Sequence, residues 1–199
     1  MRKQQQRALR TYEQTLDAAA EEFLSLGYAR ATLAGVAART GMTKGALYGH
    51  FPSKQAVAVA LVTHTATACT HVLDEAADRG PTALDTLRLT VTGIGGRLAG
   101  DARMQAGFRL VVESTSDISN CRPLAQRLAC FFQKHTAAAH SSGQITSACN
   151  PTTLATLILT LLLNYHRLQS AAGLALSPSD IEAAWRLIEQ ALSPPPAAL

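Results

Sequence analysis

The chain has 199 residues, enough for one compact helical body or a small domain joined to a larger one. Eighteen Lys and Arg against fourteen Asp and Glu leave a net charge of +4, with 47% hydrophobic residues. Repeats and low-complexity runs are absent, and the polar, basic N-terminus is not followed by the apolar segment of a signal peptide.

The charge is unevenly placed. Residues 1–54 carry eight Lys and Arg (Arg2, Lys3, Arg7, Arg10, Arg30, Arg39, Lys44, Lys54) against four acids, a surplus of four. From residue 55 onward ten basic residues balance ten acidic ones. A surface that attracts a polyanion is therefore expected at the N-terminus alone. Residues 1–9 lack apolar periodicity and read as a basic arm that adds phosphate or minor-groove contacts.

Alternation of apolar and polar residues never persists along the chain, whereas i, i+3, i+4 spacing does, so an all-α fold of about nine helices is predicted. The first runs about Arg10 to Leu26, with Leu16, Ala19, Ala20 and Phe23 inward. Leu33, Val36 and Ala37 mark a short second helix that Thr32 caps and Gly41 ends. Thr43 caps a third, Lys44 to His50, held inward by Leu47 and Phe51 at i and i+4. Two short helices joined at Gly41 form a helix-turn-helix, in which the second helix enters a DNA major groove by its N-terminal end. Thr32, Leu33, Thr43, Lys44, Gly45, Ala46, Tyr48, Gly49, His50 and Lys54 are the candidate DNA-contacting residues. Gly45 and Ala46 allow close backbone approach, and Lys44, Tyr48, His50 and Lys54 supply donors for phosphate oxygens.

Ser53 caps a long tethering helix to about Asp78, and Gly80-Pro81 breaks it. Helices over about 82–99 and 101–114 follow, with Gly93, Gly95, Gly96 and Gly100 weakening their join, a place for motion. Residues 122–141 put Leu124, Leu128, Phe131 and Phe132 on one stripe. Residues 152–171 and 180–191 complete the set. Ser177, Pro178 and Asp180 form a capping box at the start of the last helix, and Pro194, Pro195 and Pro196 end it. The longest greasy stretch, Leu154 to Leu163, is far shorter than the roughly 20 residues of a bilayer span, so no membrane partner is expected.

The last two helices carry more apolar surface than one core stripe needs. Leu154, Leu157, Ile158, Leu162, Ile181, Trp185, Ile188 and Leu192 are the candidate dimer face, pairing across a two-fold axis into a four-helix bundle. A homodimer also presents two recognition helices to one duplex.

No Gly-x-Ser-x-Gly elbow, phosphate-cradling glycine loop or His-Glu-x-x-His helix is present, so an enzyme is not expected, and no cofactor. The six histidines do not fall at metal-ligand spacings, and His64 and His71, two turns apart, read as a helix face. Cys69, Cys121, Cys130 and Cys149 are scattered without paired spacing, which fits a reducing cytoplasm. A redox-sensing regulator using Cys121 and Cys130 stays open, although nine residues on a helix span roughly 13 Å, too far for a disulfide. A ligand-free architectural DNA-binding protein is the other alternative.

The run Gly41-Met-Thr-Lys-Gly-Ala-Leu-Tyr-Gly-His-Phe51 with Lys54, preceded by Ala19, Ala20, Phe23, Gly27-Tyr28 and Thr32, resembles the DNA-binding domain of the Tet-repressor (TetR) family. The resemblance covers the first third of the chain. It implies a DNA-binding domain at 1–54, a ligand-binding and dimerisation domain at 55–199, double-stranded operator DNA as partner, and a small-molecule effector whose binding shifts the spacing of the two heads. Candidate effector-lining residues are Met104, Phe108, Leu110, Glu113, Phe131, Leu161, Asn164 and Tyr165, with Gln105 and Gln169 as further polar groups. Residues 44–51, 58–62 and above all Met104-Gln-Ala-Gly-Phe-Arg-Leu110 are similar to the γ-butyrolactone receptors of antibiotic-producing actinomycetes. That likeness implies a repressor of secondary-metabolite or autoregulatory genes with a γ-butyrolactone-like or antibiotic-like effector. Those receptors carry a tryptophan a few residues after a proline in the next helix, where this chain has Arg127 after Pro123. The departure points toward a pseudo-receptor that senses another compound.

Overall fold

In a computed structural model, residues 2–113, 118, 121–172 and 177–194 are described, and among them there are nine helices and no strand. The helices are α1 (Arg2–Arg30), α2 (Leu33–Thr40), α3 (Lys44–His50), α4 (Lys54–Arg79), α5 (Ala83–Gly100), α6 (Ala102–Glu113), α7 (Cys121–Ser141), α8 (Pro151–Ala172) and α9 (Pro178–Leu192). The all-α reading holds, with most helix ends within two residues of their expected places.

The start of α1 differs. The helix begins at Arg2 rather than near Arg10, because Lys, Gln and Arg are good helix formers that need no buried face to continue a helix already nucleated downstream. Its other end is interrupted at Gly27, whose φ of 75° and ψ of 169° lie outside helical space. A side chain is strained at that φ, and a Cβ there would also stand 2.7 Å from the Arg109 guanidinium.

The chain divides into two compact units. The first comprises residues 1–66 and 101–122, and so includes α1, α2, α3, the opening of α4, and α6. Its core is built from Leu16, Ala19, Ala20 and Phe23 of α1, Val36 of α2, Leu47 and Phe51, Val57, Ala58, Leu61 and Val62 of α4, and Ala106 and Leu110 of α6. Tyr12 stacks on Phe51 with ring centroids 4.9 Å apart. Gly107 lets α6 lie directly on α4, since a Cβ there would come within 1.9 Å of Thr65 Oγ1. Helix α4 is long and apolar enough to cross a membrane by length and composition. Its apolar residues Val57, Ala58, Leu61 and Val62 are instead fully buried in this core.

The second unit comprises residues 67–100 and 123–199, with α5 packed on α8 and α9. The glycines of α5 do not interrupt the helix. Gly93 and Gly95 allow close approach, for a Cβ would lie 2.8 Å from Val72 Cγ1 at the first and 2.9 Å from Ile181 at the second. The loop before α8 is tied down by Thr146 N–H donating to Leu192 O at 2.7 Å and by Leu84 N–H donating to the Gln144 amide oxygen at 2.9 Å. The capping box at Ser177 and Asp180 forms as expected, and its hydrogen bonds hold the Asp180 carboxyl below its usual range. Residues 195 and 196, and the side chains of His166 and Gln169, lie outside the described residues.

Candidate functional site

Local hydrogen bonding fixes the helix-turn-helix. Thr32 Oγ1 accepts from Gly35 N–H at 3.0 Å, and Thr43 Oγ1 from Ala46 N–H at 3.3 Å, so each short helix has its own N-cap. Gly41 takes the left-handed conformation at φ 69° and ends α2, its N–H reaching Ala37 O. Leu47 and Phe51 are buried, which leaves the opposite face of α3 outside: Thr43, Lys44, Gly45, Ala46, Tyr48 and Gly49 are all exposed. A Cβ built on Gly45 or Gly49 would meet nothing within 4 Å. These two glycines, four residues apart, therefore make one smooth, open stripe beside a lysine and a tyrosine that is 53% exposed. Thr32 is exposed and His50 half-buried.

Two of the expected contact residues are committed inside the unit. Leu33 is buried with Val36 and Ala37. Lys54 Nζ donates to Tyr28 O at 2.7 Å and to Ala29 O at 3.3 Å, and lies 4.6 Å from the centroid of the Tyr28 ring. The lysine closes the end of α1, satisfying carbonyls that lose their helical donors because the helix stops at Arg30. A second clamp orients α2. Arg39 donates to Glu22 at 2.8 Å, to Glu21 at 3.2 Å and to Ser25 Oγ at 3.2 Å. The hydrogen bond that Arg39 donates to Glu22 and both glutamate charges outweigh desolvation and raise the Arg39 pKa.

The segment Met104–Leu110 lies in α6, within the same unit as the helix-turn-helix. Met104, Phe108 and Leu110 are buried. Polar residues of α6 grip α1: Arg103 donates to Asp17, to the carboxylate of Glu13 and to Glu13 O, while Arg109 donates to Leu24 O. Glu113 accepts from Arg109 Nε at 2.7 Å and from Tyr28 N–H at 2.9 Å. Its carboxylate thus takes up an N–H that the break at Gly27 frees from the helix. The Asp101 side chain caps α6 through Met104 N–H at 3.0 Å and meets His64 Nε2 at 3.0 Å. Burial works to raise the Asp101 pKa, but hydrogen bonds from His64, Met104 N–H and Arg103 N–H outweigh it and hold the carboxyl low.

In the second unit α5, α8 and α9 enclose an apolar pocket of about 220 Å³. Leu161 and Tyr165, expected on an effector, line it together with Ile158, Leu162, Ile181, Trp185 and Ile188, expected on a dimer face. Val91, Gly95 and Ala184 complete the wall; nothing in their spacing distinguishes them from ordinary core. Trp185 is fully buried, and its indole N–H has no hydrogen-bond partner among the described residues. Leu154 and Leu192 are also buried. Of the residues read as a dimer face, Leu157 is the exposed one; Leu187, which that reading passed over, is 68% exposed. Half-buried Phe131 packs on His135 at 4.4 Å between ring centroids, and Asn164 donates to Thr160 O at 2.9 Å, each within its own helix.

Among the described residues no cluster of three His, Cys, Asp or Glu could hold a metal ion. Cys69 is buried, and that burial pushes its thiol up to about 12 despite the opposing fields of Arg97 and Arg127. Cys121 is buried and donates toward Leu110 O, while Cys130 is exposed.

Residues 16–61 match the family model described as bacterial regulatory proteins, tetR family. Over 58 residues the chain is 47% identical to the A-factor receptor protein of Streptomyces griseus, a match covering 29% of this chain and 21% of that relative, so the chain spans about a fifth of its length. The structure is similar to a crystal structure of a gamma-butyrolactone receptor described as ArpA-like, with a TM-score of 0.76, 21% identity, and coverage of 96% of this chain and 91% of that one. It is also similar to the TetR family protein CprB from Streptomyces coelicolor in complex with its biological operator sequence, with a TM-score of 0.76, 22% identity, and coverage of 94% and 90%.

Proposed function

We propose that this chain, whose residues 16–61 are a tetR-family DNA-binding head, is a homodimeric transcriptional repressor that a small hydrophobic effector releases from operator DNA. The observation that carries the reading is the outer face of α3. Thr43, Lys44, Gly45, Ala46, Tyr48 and Gly49 are exposed, with open space over both glycines, on a helix held in place by its N-cap Thr43 and a buried Leu47. Such a face lets a helix backbone approach the floor of a groove while a lysine and a tyrosine reach phosphates.

Dimerisation supports the same reading, because one seven-residue helix covers few base pairs and two heads on one duplex multiply specificity. Leu157 and Leu187 put exposed leucine side chains on α8 and α9, large apolar groups that a partner copy would cover. Effector control draws on the likeness to the A-factor receptor protein and to the gamma-butyrolactone receptor. By that likeness the target genes are autoregulatory or secondary-metabolite genes, and the protein acts in the cytoplasm. Burial of Cys69 and Cys121 removes two of the four thiols from ready oxidation, which favours effector binding over redox sensing as the trigger.

A gel-shift titration on the DNA upstream of the chain's own gene tests the proposal, repeated with a γ-butyrolactone and with extract of the producing culture. Sequence-specific retardation that one of these relieves is the expected result. Retardation that no extract relieves would leave a DNA-binding protein without effector control.

A further inference from the structure

The helix-turn-helix is a closed loop of chain. It leaves α1 after the last turn, residues 27–30, and returns at Lys54, the first residue of α4. Its neck is closed at Tyr28. The Tyr28 carbonyl accepts from Lys54 Nζ at 2.7 Å, and the Tyr28 N–H donates to Glu113 Oε2 at 2.9 Å. One residue is thus held from two sides, by the start of α4 through its C=O and by the end of α6 through its N–H. We infer that Glu113 is a positioning residue for DNA recognition: it anchors the neck of the helix-turn-helix to α6 and so sets the place from which α3 enters a groove. The inference rests on the repressor reading and adds to it a residue that touches no DNA.

The chemistry of the neck explains why a carboxylate is needed there. In an unbroken helix Leu24 O and Tyr28 N–H, at i−4 and i, would bond each other. Gly27 stands outside helical space between them. Here the acceptor receives Arg109 and the donor goes to Glu113. Arg109 Nε and Glu113 Oε1 are themselves paired at 2.7 Å, so one ion pair of α6 spans the interruption in α1. The two side chains are 18% and 22% exposed, and partial shielding from water strengthens such charge-assisted hydrogen bonds. Helix α2 begins directly beyond the turn and carries α3 after Gly41, so a tilt at the neck is passed to both. Attraction to phosphates tolerates a tilt, whereas contacts to base edges need the helix in register. The position of the neck therefore bears on specific binding and leaves general affinity for a duplex alone.

The test compares full-length wild type, Glu113→Ala and Glu113→Gln on the DNA upstream of the chain's own gene and on an unrelated duplex of equal length. Glu113→Ala should weaken binding to the upstream DNA about tenfold, with affinity for the unrelated duplex and its salt slope unchanged. Glutamine keeps an acceptor oxygen for Tyr28 N–H, so Glu113→Gln should return to within about threefold of wild type. If Glu113→Ala does not fold, Glu113→Asp, which keeps the charge and withdraws it by one methylene, carries the same expectation. Undiminished binding to the upstream DNA overturns the proposal. So does a parallel loss on both duplexes with a lower melting temperature, which would make Glu113 a residue of the fold alone, and so does a Glu113→Gln no better than Glu113→Ala. A wild type that binds both duplexes equally counts against the repressor reading instead. Hydrogen exchange without DNA then tests the neck by itself: Glu113→Ala should speed exchange over residues 31–50 and spare 11–23, and unchanged exchange overturns the anchor.

Discussion

Lys44 and Tyr48 project from the exposed face of α3, while Lys54, of the same residue type as Lys44, is turned inward onto Tyr28 and Ala29. The two lysines should respond differently to truncation. Lys44→Ala should weaken operator binding about tenfold and reduce the slope of log affinity against log salt by about 1, with the melting temperature unchanged. Tyr48→Ala should likewise weaken binding without destabilising the head, and Lys54→Ala should lower the melting temperature first. Salt-dependent gel shifts and thermal melts on the three variants separate these outcomes; wild-type affinity for Lys44→Ala would remove α3 from the groove. Thiol chemistry gives a second check. With Cys130 exposed and the Cys69 thiol pushed up to about 12 by burial, an alkylating reagent at pH 8 should label Cys130 first and Cys69 only as the fold opens. Mass spectrometry of a labelling time course reads the order.

At the scale of the elements, α6 depends on Asp101, which serves it as cap and as partner of His64. The folded carboxyl is held below its ordinary pKa, so its contribution is complete above the ordinary carboxylate range and is lost as pH falls through about 4 toward the lower folded value. Asp101→Ala should cost about 1 kcal/mol at pH 7, the loss of a cap. Asp101→Asn, which keeps a capping acceptor, should cost less, and both differences should shrink by pH 3 in urea denaturation. The caps of this chain also show why its helices were legible in sequence. Thr32, Gly41, Thr43, Ser53 and Ser177 each act within four residues of themselves, so α2, α3, α4 and α9 begin or end where local pattern puts them. Residues 2–9 are helical without apolar periodicity, and helix propensity alone carries no boundary. The partners of α6 were illegible for a different reason: Arg103 and Glu13 are 90 positions apart, as Arg109 and Leu24 are 85. Only folding brings such pairs together. The exposed stripe of α3 was readable because Leu47 and Phe51 fix its opposite side, whereas the pocket beside Trp185 is lined from three helices whose packing no local pattern records.

For the molecule as a whole, the exposed leucines of α8 and α9 bear on assembly. Leu157→Glu and Leu187→Glu should each shift the protein toward monomer in analytical ultracentrifugation and weaken operator binding at least tenfold, while leaving far-ultraviolet circular dichroism unchanged. A dimer that survives both substitutions would move the interface elsewhere. The division of the chain has a further consequence for modular engineering. A repressor head is commonly imagined as a cassette that can be cut after its tethering helix and grafted onto a foreign sensor. Here the cut would sever α1 from α6, stripping Glu13 and Asp17 of Arg103, Leu24 O of Arg109 and Tyr28 N–H of Glu113. It would also bare the core face that Ala106 and Leu110 cover. Residues 1–66 alone should therefore show no cooperative thermal transition. A transplantable cassette has to be written in two exons, 1–66 and 101–122, with the foreign sensor spliced between and after them.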